Sequence, residues 1–474
     1  MIPAVHTPYS RLTDHQAKMM HQACLGILQN TGVRLYEQEA VELLRDAGCS
    51  VEDGSLVRIP PDLVEQAIEV APKEVTIYNR NGKPAMQIAG YRSYFGPGSD
   101  CLNVIDHRTG QRRRPVLKDV AEGITVCDAL ENIDFVMSLV LPTDVEQGLA
   151  DRYQMEIMLN RTTKPIVFVT YEMDGCVDAV RMAESVAGGP EALRERPFVA
   201  CYINVTTGLR HNRDALRKLL YLAGKRLPSF YVPGAQAGTA APVSVAGSNA
   251  MRFAGALAGL VIAQLKNAGT PVFVPGWAAL PLDMRTTVQP YTGPDHQGVL
   301  QSMAHYHRLP FFAMGGASDS KVVDQQAALE AALTLFHNVM IGSQVVHDVG
   351  YLESGLAYSL AQLAICDEIL SWIKRSLKPV VMDEDTLALD LIDEKGPDGQ
   401  YIDCEHTFDH FREHWYPDLL SRANHSEWSA GGSATLAERA ADKVDAILGS
   451  HQPEGLPDDV AAAVRGIVAA AVET

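Results

Sequence analysis

The sequence predicts an α/β protein built around a (β/α)8 TIM barrel, with an N-terminal helical layer and a C-terminal helical cap. Three observations predict this class: eight short β-like runs alternate with helical segments, no Gly-x-Gly-x-x-Gly motif follows the first run, and the 474-residue chain is long enough for a large core. The expected units are an N-terminal helical extension over residues 1–90, a barrel over 91–375 and a C-terminal cap over 376–474.

The N-terminal extension is predicted to be mainly helical. Apolar residues recur at helical spacing over His15–Gln29 and again over Tyr36–Ala47. Pro60-Pro61-Asp62 places proline in the first turn of a third helix, where a missing backbone N–H costs nothing. We therefore expect a layer of helices before the first barrel strand.

The barrel is predicted from β-like runs that are short, apolar and separated by helices. The runs are Tyr91–Phe95, Phe135–Leu141, Ile166–Thr170, Phe198–Val205, Ser229–Val232, Val272–Val274, Phe311–Met314 and Met340–Val346. The helical segments are Asp151–Leu159, Cys176–Ala187, Arg213–Ala223, Ala246–Asn267, Gln297–Tyr306 and Gln325–Phe336. Alternating β and α units indicate a parallel sheet, and eight of them indicate closure into a barrel.

The C-terminal cap is predicted from a change in pattern after the last barrel helix. The chain is polar over Asp383–Asp403 and then helical over Thr407–Ala423 and Ala434–Leu448. We expect these helices to pack on the barrel.

Three histidines in the first of these helices raise the question of a metal. His406, His410 and His414 recur at four-residue spacing, with Cys404 and Asp409 nearby. Such spacing suits both a zinc site and an ordinary surface helix. Because the histidines lie far in sequence from the barrel strand ends, we predict no metal site.

Charge and cysteine usage exclude several classes of partner. A formal charge of −18 disfavours nucleic acid and anionic membranes, which demand basic surface. The basic run Arg112-Arg113-Arg114 is short and suits either a solvated turn or a docking patch. The eight cysteines are scattered, without a Cys-x-x-Cys pair, which indicates reduced structural thiols. No membrane-length apolar run and no secretory signal are readable, so a cytoplasmic location is expected.

The residues that follow the barrel strands are expected to converge at one mouth, where barrel enzymes keep their chemistry. This mouth is rich in glycine, proline and aromatic residues, and it offers neither a close set of metal ligands nor a Gly-x-Ser-x-Gly elbow. It therefore suits a reaction whose difficult chemistry is supplied by a cofactor brought from outside.

Several segments together carry a family resemblance over nearly the whole chain. They are YFGPGSD at 94–100, VIDHRTGQRRRPVLKD at 104–119, PGAQAGTAAPVSVAGSNA at 233–250, the stretch Gly315–Trp372, and HTFDHFREHWYPDLLSR at 406–422. The sequence resembles the trimethylamine:corrinoid methyltransferase family, in its pyrrolysine-free branch, whose best-known activity is methyl transfer from glycine betaine. The founding enzymes carry pyrrolysine, whereas this chain has only standard residues.

The resemblance implies transfer of a methyl group from a quaternary amine, most of all glycine betaine, to cob(I)alamin, with dimethylglycine as the product. Another quaternary amine such as proline betaine, carnitine or a butyrobetaine, and a non-catalytic betaine-binding barrel, remain open. No Asp-x-His-x-x-Gly corrinoid-binding motif is present, so the corrinoid is expected on a partner protein. A homo-oligomer is also expected.

Site residues follow from position at the strand ends and from this chemistry. Tyr94, Phe95 and Trp277 are candidates for a cation cage, although barrel packing explains strand aromatics equally well. The remaining substrate-binding candidates are Asn204, Gln236, Gln344 and Tyr351, and loop residues Arg210 and Arg285 lie within possible reach of a carboxylate.

His347 ends the eighth run, and we predict it to be the catalytic residue at the junction of substrate and corrinoid. The predicted corrinoid-contacting residues are Asp100, Gly315, Gly316, Ser318 and Asp319. A need for positive φ explains the two glycines as well as close approach of a flat macrocycle does.

Overall fold

A computed structural model describes residues 9–277 and 280–473. In these ranges the strands are β1 Val33–Leu35, β2 Ser50–Glu52, β3 Leu56–Arg58, β4 Val75–Tyr78, β5 Pro84–Ile88, β6 Tyr94–Phe95, β7 Asn103–Ile105, β8 Arg112–Arg113, β9 Ile166–Val169, β10 Val199–Val205, β11 Arg210–His211, β12 Ser229–Pro233, β13 Val272–Pro275, β14 Phe311–Met314, β15 Val345–His347, β16 Tyr351–Leu352 and β17 Ala357–Tyr358. The helices are α1 Asp14–Gly26, α2 Gln38–Asp46, α3 Pro61–Val70, α4 Leu117–Ala129, α5 Ala150–Arg161, α6 Met173–Ala187, α7 Pro190–Glu195, α8 Arg213–Lys225, α9 Val245–Lys266, α10 Val299–His307, α11 Gln325–Ile341, α12 Leu360–Ser376, α13 Glu384–Leu387, α14 Leu389–Lys395, α15 Glu405–His410, α16 His425–Ala430, α17 Leu436–Ser450 and α18 Asp458–Val472.

The centre of the molecule is a curled parallel sheet with helices around it. Seven strands of the described chain form it, in the order β6-β15-β14-β13-β12-β10-β9. In chain order each of these seven strands is separated from the next by at least one helix, as the alternating pattern predicts. The chain is thus an α/β protein whose parallel strands present their carboxyl ends at one edge, called the mouth below.

The predicted second strand, Phe135–Leu141, does not form a regular strand. Val136 makes an isolated parallel bridge with Ile166, and Asp134 N donates to Phe95 O at 2.6 Å. Leu139 has φ of 61°, a left-handed conformation that an extended strand cannot contain. The segment therefore links β6 to β9 through irregular backbone.

The predicted eighth strand is shorter than expected. Helix α11 continues to Ile341 and is ended by Gly342, whose φ of 70° suits a residue without Cβ. The apolar residues before β15 thus belong to the helix, and His347 lies inside the strand, in register with Met314. An apolar run at a helix–strand boundary has no periodicity that separates the two elements.

The N-terminal region holds the three predicted helices, but five short strands lie among them. Strands β1, β2 and β3 form a small sheet with β11. The prediction of a mainly helical layer was incomplete here, because strands of three to five residues are too short to show a clear period of two. Residues 1–8, on which the expectation of no secretory signal partly rests, lie outside the described residues.

The hairpin of β4 and β5 closes the amino-terminal end of the central sheet. Its apolar residues Val75, Ile77, Met86 and Ile88 belong to one hydrophobic cluster with inward-facing side chains of the sheet strands. This packing leaves the opposite end of the sheet for the site.

The first predicted helix of the C-terminal region, Thr407–Ala423, is shorter than expected, whereas the second is present as α17. Helix α15 ends at His410, a short 3-10 turn covers Phe411–Glu413, and irregular backbone follows. Pro417 lies inside the predicted helix, which cannot continue through it because proline lacks the N–H that a helix interior requires. Helix α17 packs against α12 and α4, and α18 against α5 and α6, so these two helices cover the outer helical layer.

Helix α9 is the one helix of the described residues that is long and apolar enough to cross a membrane by length and composition. Its mean hydropathy is 1.3 over the best window, and 78% of that window is buried inside the protein. Such burial is the usual state of a core helix.

Candidate functional site

A cavity of about 290 Å³ opens at the mouth of the central sheet. It is called the mouth cavity below. Five of the predicted site residues line it: Asp100, Asn204, Trp277, His347 and Tyr351. They come from strand β10 and from segments at the ends of β6, β13 and β15, so distant parts of the sequence meet here.

His347 and Asp348 form the most constrained polar pair of the cavity. His347 Nδ1 lies 2.7 Å from Asp348 Oδ1, and the two side chains are only 7% and 10% exposed. A carboxylate accepts hydrogen bonds, so this contact assigns the proton of a neutral imidazole to Nδ1. Nε2 is buried, and no group of the described residues hydrogen-bonds to it. It is thus a buried acceptor without a partner among the described residues, on a side chain that lines the cavity.

Local backbone geometry holds Asp348 in place. Its φ of 72° is left-handed, which aspartate tolerates better than most residues. A Cβ at Gly98 would collide with Asp348 Oδ1 and with the hydroxyl of Tyr351. The Tyr351 hydroxyl donates to the Ser99 carbonyl. Glycine at position 98 therefore allows the loops after β6 and β15 to touch.

Aromatic side chains form much of the cavity wall. The ring of Tyr202 meets the His347 ring edge-on at 5.5 Å between centroids, and Phe312 stacks on His347 at 5.6 Å. Tyr291 and Tyr351 also line the cavity. Burial raises the pKa of all three tyrosine phenols, so they remain neutral at physiological pH. Neutral aromatic rings of this kind suit a cationic ligand.

Arg252 supplies a positive charge that the sequence reading missed. It lies in α9, is 2% exposed and lines the mouth cavity. Its guanidinium carbon lies 3.8 Å from the centroid of the Trp277 ring, a stacked cation–π contact. One face of Trp277 is therefore occupied by the protein itself. The signal for Arg252 was present, because it is a lone arginine in the long apolar run that forms α9.

Asp100 adds a carboxylate near the floor of the cavity. Its φ is 62°, and its Oδ1 accepts a hydrogen bond from Ser138 Oγ at 3.3 Å. Removal from bulk water raises the pKa of the Asp100 carboxyl, although Ser138, Ser99 and Gln154 oppose the rise by hydrogen bonding.

Four predicted substrate-binding residues do not line the cavity. The hydroxyl of Tyr94 accepts from Gln87 N at 2.9 Å in the closing hairpin, at the other end of the sheet. Phe95 packs in the large hydrophobic cluster shared with the outer helices. Gln344 ties strands together, accepting from Phe311 N and donating to Gly90 O, both at 3.0 Å. Gln236 accepts from Thr239 Oγ1 at 2.8 Å within its own turn.

The predicted corrinoid-contacting loop after β14 is packed against the protein. Gly316 has φ of 74°. Ser318 Oγ donates to Glu330 Oε2 at 2.6 Å, and a Cβ at Gly315 would meet Asn338 Nδ2 at 2.7 Å. Asp319 Oδ1 accepts from Tyr291 N at 2.8 Å. In this loop Asp319 positions a cavity wall, and the glycines serve close packing.

The arginines singled out in the sequence lie among acids or at the surface. Arg112 pairs with Glu353 at 2.8 Å and Arg113 with Asp119 at 2.6 Å, which fits a paired turn. Arg285 is 88% exposed and pairs with Asp283. Arg210 stacks over Tyr36 at 5.9 Å. None of these four arginines is among the described residues that line the mouth cavity.

The C-terminal histidines form a separate cluster. Asp385, His406 and His410 place one potential ligand atom each within 4.8 Å of the others. His410 also binds Glu413 at 2.9 Å, and Glu413 with Asp385 raises the pKa of the His410 imidazole. His414 lies beyond the end of α15. None of the three clustered residues lines the mouth cavity, so the cluster takes no part in its geometry.

Comparison with known proteins places this chain in a family. The family model described as trimethylamine methyltransferase (MTTB) matches residues 2–472. The chain belongs to this family. The match confirms the resemblance read from the sequence blocks.

Full-length relatives of this family member carry two different names. It is 30% identical over 461 residues to trimethylamine methyltransferase MttB of Desulfitobacterium hafniense, covering 96% of this chain and 92% of the relative. It is 28% identical over 467 residues to the glycine betaine methyltransferase of Desulfitobacterium hafniense strain Y51, covering 97% of each. The family member is therefore an enzyme, a methyltransferase, as predicted.

The solved structures that resemble it support the fold. Monomethylamine methyltransferase (MtmB) of Methanosarcina barkeri matches with a TM-score of 0.50 at 10% identity, over 93% of this chain and 96% of that protein. At this identity the likeness concerns the fold, and it agrees with a parallel α/β sheet surrounded by helices.

Proposed function

We propose that this methyltransferase moves a methyl group from glycine betaine to a reduced corrinoid carried by a partner protein, leaving dimethylglycine. The observation that carries the proposal is the mouth cavity, which is lined by neutral tyrosines and by His347, whose buried Nε2 has no hydrogen-bond partner among the described residues. A full-length relative is named glycine betaine methyltransferase. The chain has only standard residues, whereas the resemblance associates trimethylamine with pyrrolysine.

The chemistry asks for positioning more than for acid catalysis. A quaternary ammonium leaves as a neutral amine that keeps the electron pair of the broken C–N bond, so no proton has to be supplied. A reduced corrinoid, when bound, supplies the electron pair that forms the new bond to the methyl carbon. The protein's part is to hold the cation, to align one methyl group and to exclude water.

His347 fits the junction between donor and acceptor. Its Nδ1–H is fixed by Asp348 at 2.7 Å, so the ring of this cavity-lining residue cannot turn freely and Nε2 keeps one position. Tyr202 and Phe312 hold the ring on two sides. We propose that Nε2 accepts a hydrogen bond at this junction and so orients the partner or its corrinoid. The corrinoid contacts predicted for Gly315, Gly316 and Ser318 have no support from the cavity lining.

A homo-oligomer is part of the proposal, and the segment over residues 378–430, called the arm below, supports it. Eight large apolar side chains of the arm are more than half exposed: Val380, Val381, Met382, Leu387, Leu389, Ile402, Phe408 and Tyr416. At about 100–150 Å² each they expose on the order of 1,000 Å², which exceeds the usual largest patch of a monomer and matches one side of a stable interface. We propose a second copy of the chain as the occupant and a cytoplasmic location for the assembly.

Methyl transfer is tested directly with reduced cobalamin. Protein, cob(I)alamin and one amine are mixed, and methylcobalamin is followed by its absorbance. Glycine betaine is expected to react and trimethylamine is not. Reaction with proline betaine, carnitine or a butyrobetaine alone would replace glycine betaine as the proposed substrate. Reaction with trimethylamine alone would overturn the assignment to the pyrrolysine-free branch.

Light scattering tests the proposed contact through the arm. The double variant Ile402→Asp, Phe408→Asp is expected to have a lower molar mass than the wild type. A monomeric mass for both the wild type and the variant refutes the oligomer.

A further inference from the structure

The mouth cavity has a positive wall and a negative wall. Arg252 forms the positive one, buried at 2% exposure in α9 and stacked on Trp277 at 3.8 Å. Asp100 and Asp348 form the negative one. A cavity with fixed charges of both signs is complementary to a ligand with the opposite arrangement of charges.

The sheet order separates the two walls. Asp348 follows β15, whereas Trp277 follows β13, and β14 lies between these strands. Neighbouring strands are about 4.8 Å apart, so the supporting strands are roughly 10 Å apart before their side chains reach inward. Tyr202 is under the influence of both charges: burial raises the pKa of its phenol, Asp348 adds to the rise, and Arg252 opposes it. The distance suits a small molecule with both charges on one short skeleton.

Arg252 is well suited to a carboxylate. A guanidinium presents N–H donors in a planar fork that matches two carboxylate oxygens, and stacking on an aromatic ring holds that plane fixed. Burial lowers the pKa of Arg252 to about 10, which still leaves the group charged at neutral pH. The Trp277 contact thus orients a cation that lines the cavity.

We propose that Arg252 is the carboxylate-binding residue of the mouth cavity and restricts its ligands to zwitterionic quaternary amines. The inference rests on the proposed function for the identity of the ammonium group, but it concerns binding and not methyl transfer. Quaternary cations without a carboxylate are disfavoured, because a second positive charge beside a buried guanidinium is repelled where water screens poorly. The cavity of about 290 Å³ also limits the ligand to a small one.

Calorimetric titration of the wild-type protein, without corrinoid, separates the two charges of the ligand. Glycine betaine carries both charges, choline carries the ammonium without the carboxylate, and tert-butylacetate carries the carboxylate on the same skeleton without the ammonium. Glycine betaine is expected to bind best and choline at least about 10-fold more weakly, the effect of losing one charge-assisted hydrogen bond. The proposal is overturned if choline binds with the same affinity as glycine betaine. It is also overturned if the wild-type protein binds none of the three compounds.

Variants assign the carboxylate to Arg252. Arg252→Gln is expected to weaken glycine betaine and tert-butylacetate about 10- to 150-fold while leaving the weak binding of choline unchanged or improved. Arg252→Lys keeps the charge without the fork and is expected to recover part of the loss. Arg285→Gln is the matched control, because Arg285 follows strand β13, as Trp277 does, but is 88% exposed. It is expected to bind as the wild type does.

The outcomes also separate this inference from the proposed function. Selective loss of carboxylate ligands in Arg252→Gln, with an unchanged melting temperature, supports the inference even where no methylcobalamin forms. Equal weakening of choline and glycine betaine overturns it, and the wild-type ligand series decides the matter where Arg252→Gln fails to fold.

Discussion

The substitution Asp348→Asn tests whether His347 works through one fixed orientation. In the wild type Nδ1 donates to a carboxylate 2.7 Å away, and both side chains are at most 10% exposed. A hydrogen bond to a charged group contributes about 1.5–3 kcal/mol and a neutral one about 0.5–1.5 kcal/mol. Exchanging one for the other therefore removes about 1–1.5 kcal/mol of the free energy that holds the His347 ring in its orientation. This corresponds to an about 5- to 13-fold lower rate constant of methyl transfer.

The asparagine also changes which nitrogen carries the proton. Its NH₂ group can donate to Nδ1, and the proton then moves to Nε2, which has no hydrogen-bond partner among the described residues. Nitrogen chemical shifts of His347 report the tautomer, and the cobalamin assay reports the rate. The control is Asp445→Asn, because Asp445 forms a similar pair with His107 at 3.0 Å away from the cavity. A wild-type rate in Asp348→Asn, with a shifted tautomer, would refute the reasoning.

Three further predictions concern the cavity. His347→Ala is expected to lower methyl transfer by more than Asp348→Asn does while the melting temperature changes little; unchanged turnover in a folded variant would make His347 structural. Trp277→Leu is expected to weaken glycine betaine binding about 2- to 30-fold, because it removes the cation–π contact of about 0.5–2 kcal/mol that holds the Arg252 guanidinium. Calorimetry measures the affinity, and an unaltered value would make Trp277 barrel packing. Asp100→Asn is expected to raise thermal stability at neutral pH and not in acid. The pKa of Asp100 is raised in the folded protein, so the folded state binds more protons than the unfolded state. The wild type therefore loses stability as pH rises from the ordinary value of 3.8 through the folded pKa. An equal effect of Asp100→Asn at both pH values would refute this.

Sequence reasoning found the family and the alternation of strands and helices because both leave long-range patterns. It found His347 because a polar residue closes an apolar run, and the structure places this residue at the cavity. It placed Tyr94 and Phe95 at the mouth because it knew only that they end a strand. The direction in which a strand residue points depends on register, and here one turns to the closing hairpin and the other to the outer helices.

The residues that the sequence reading missed share a physical reason. Arg252 lies within α9 and Tyr202 in the middle of β10, whereas the predicted site residues lie at or near the ends of strands or in the segments after them. Side chains inside elements reach a cavity when the sheet curls, and curling depends on the whole set of strands. Leu139 shows the same limit, because nothing local in an apolar run announces a left-handed residue.

The pairing of β6 with β15 has a consequence for how the protein is made. Val345 lies opposite Tyr94, so the first and the last strand of the central sheet are neighbours although about 250 residues separate them. During synthesis the earlier helices and strands emerge and associate long before β15 leaves the ribosome. The loops that bring Gly98 and Asp348 together join only afterwards, when the entropic cost of closing the longest loop has been met. A nascent chain that is released before Asp348 contains every earlier strand but cannot form the binding site. Ligand binding therefore shows that synthesis has passed Asp348, and not merely that folded structure is present.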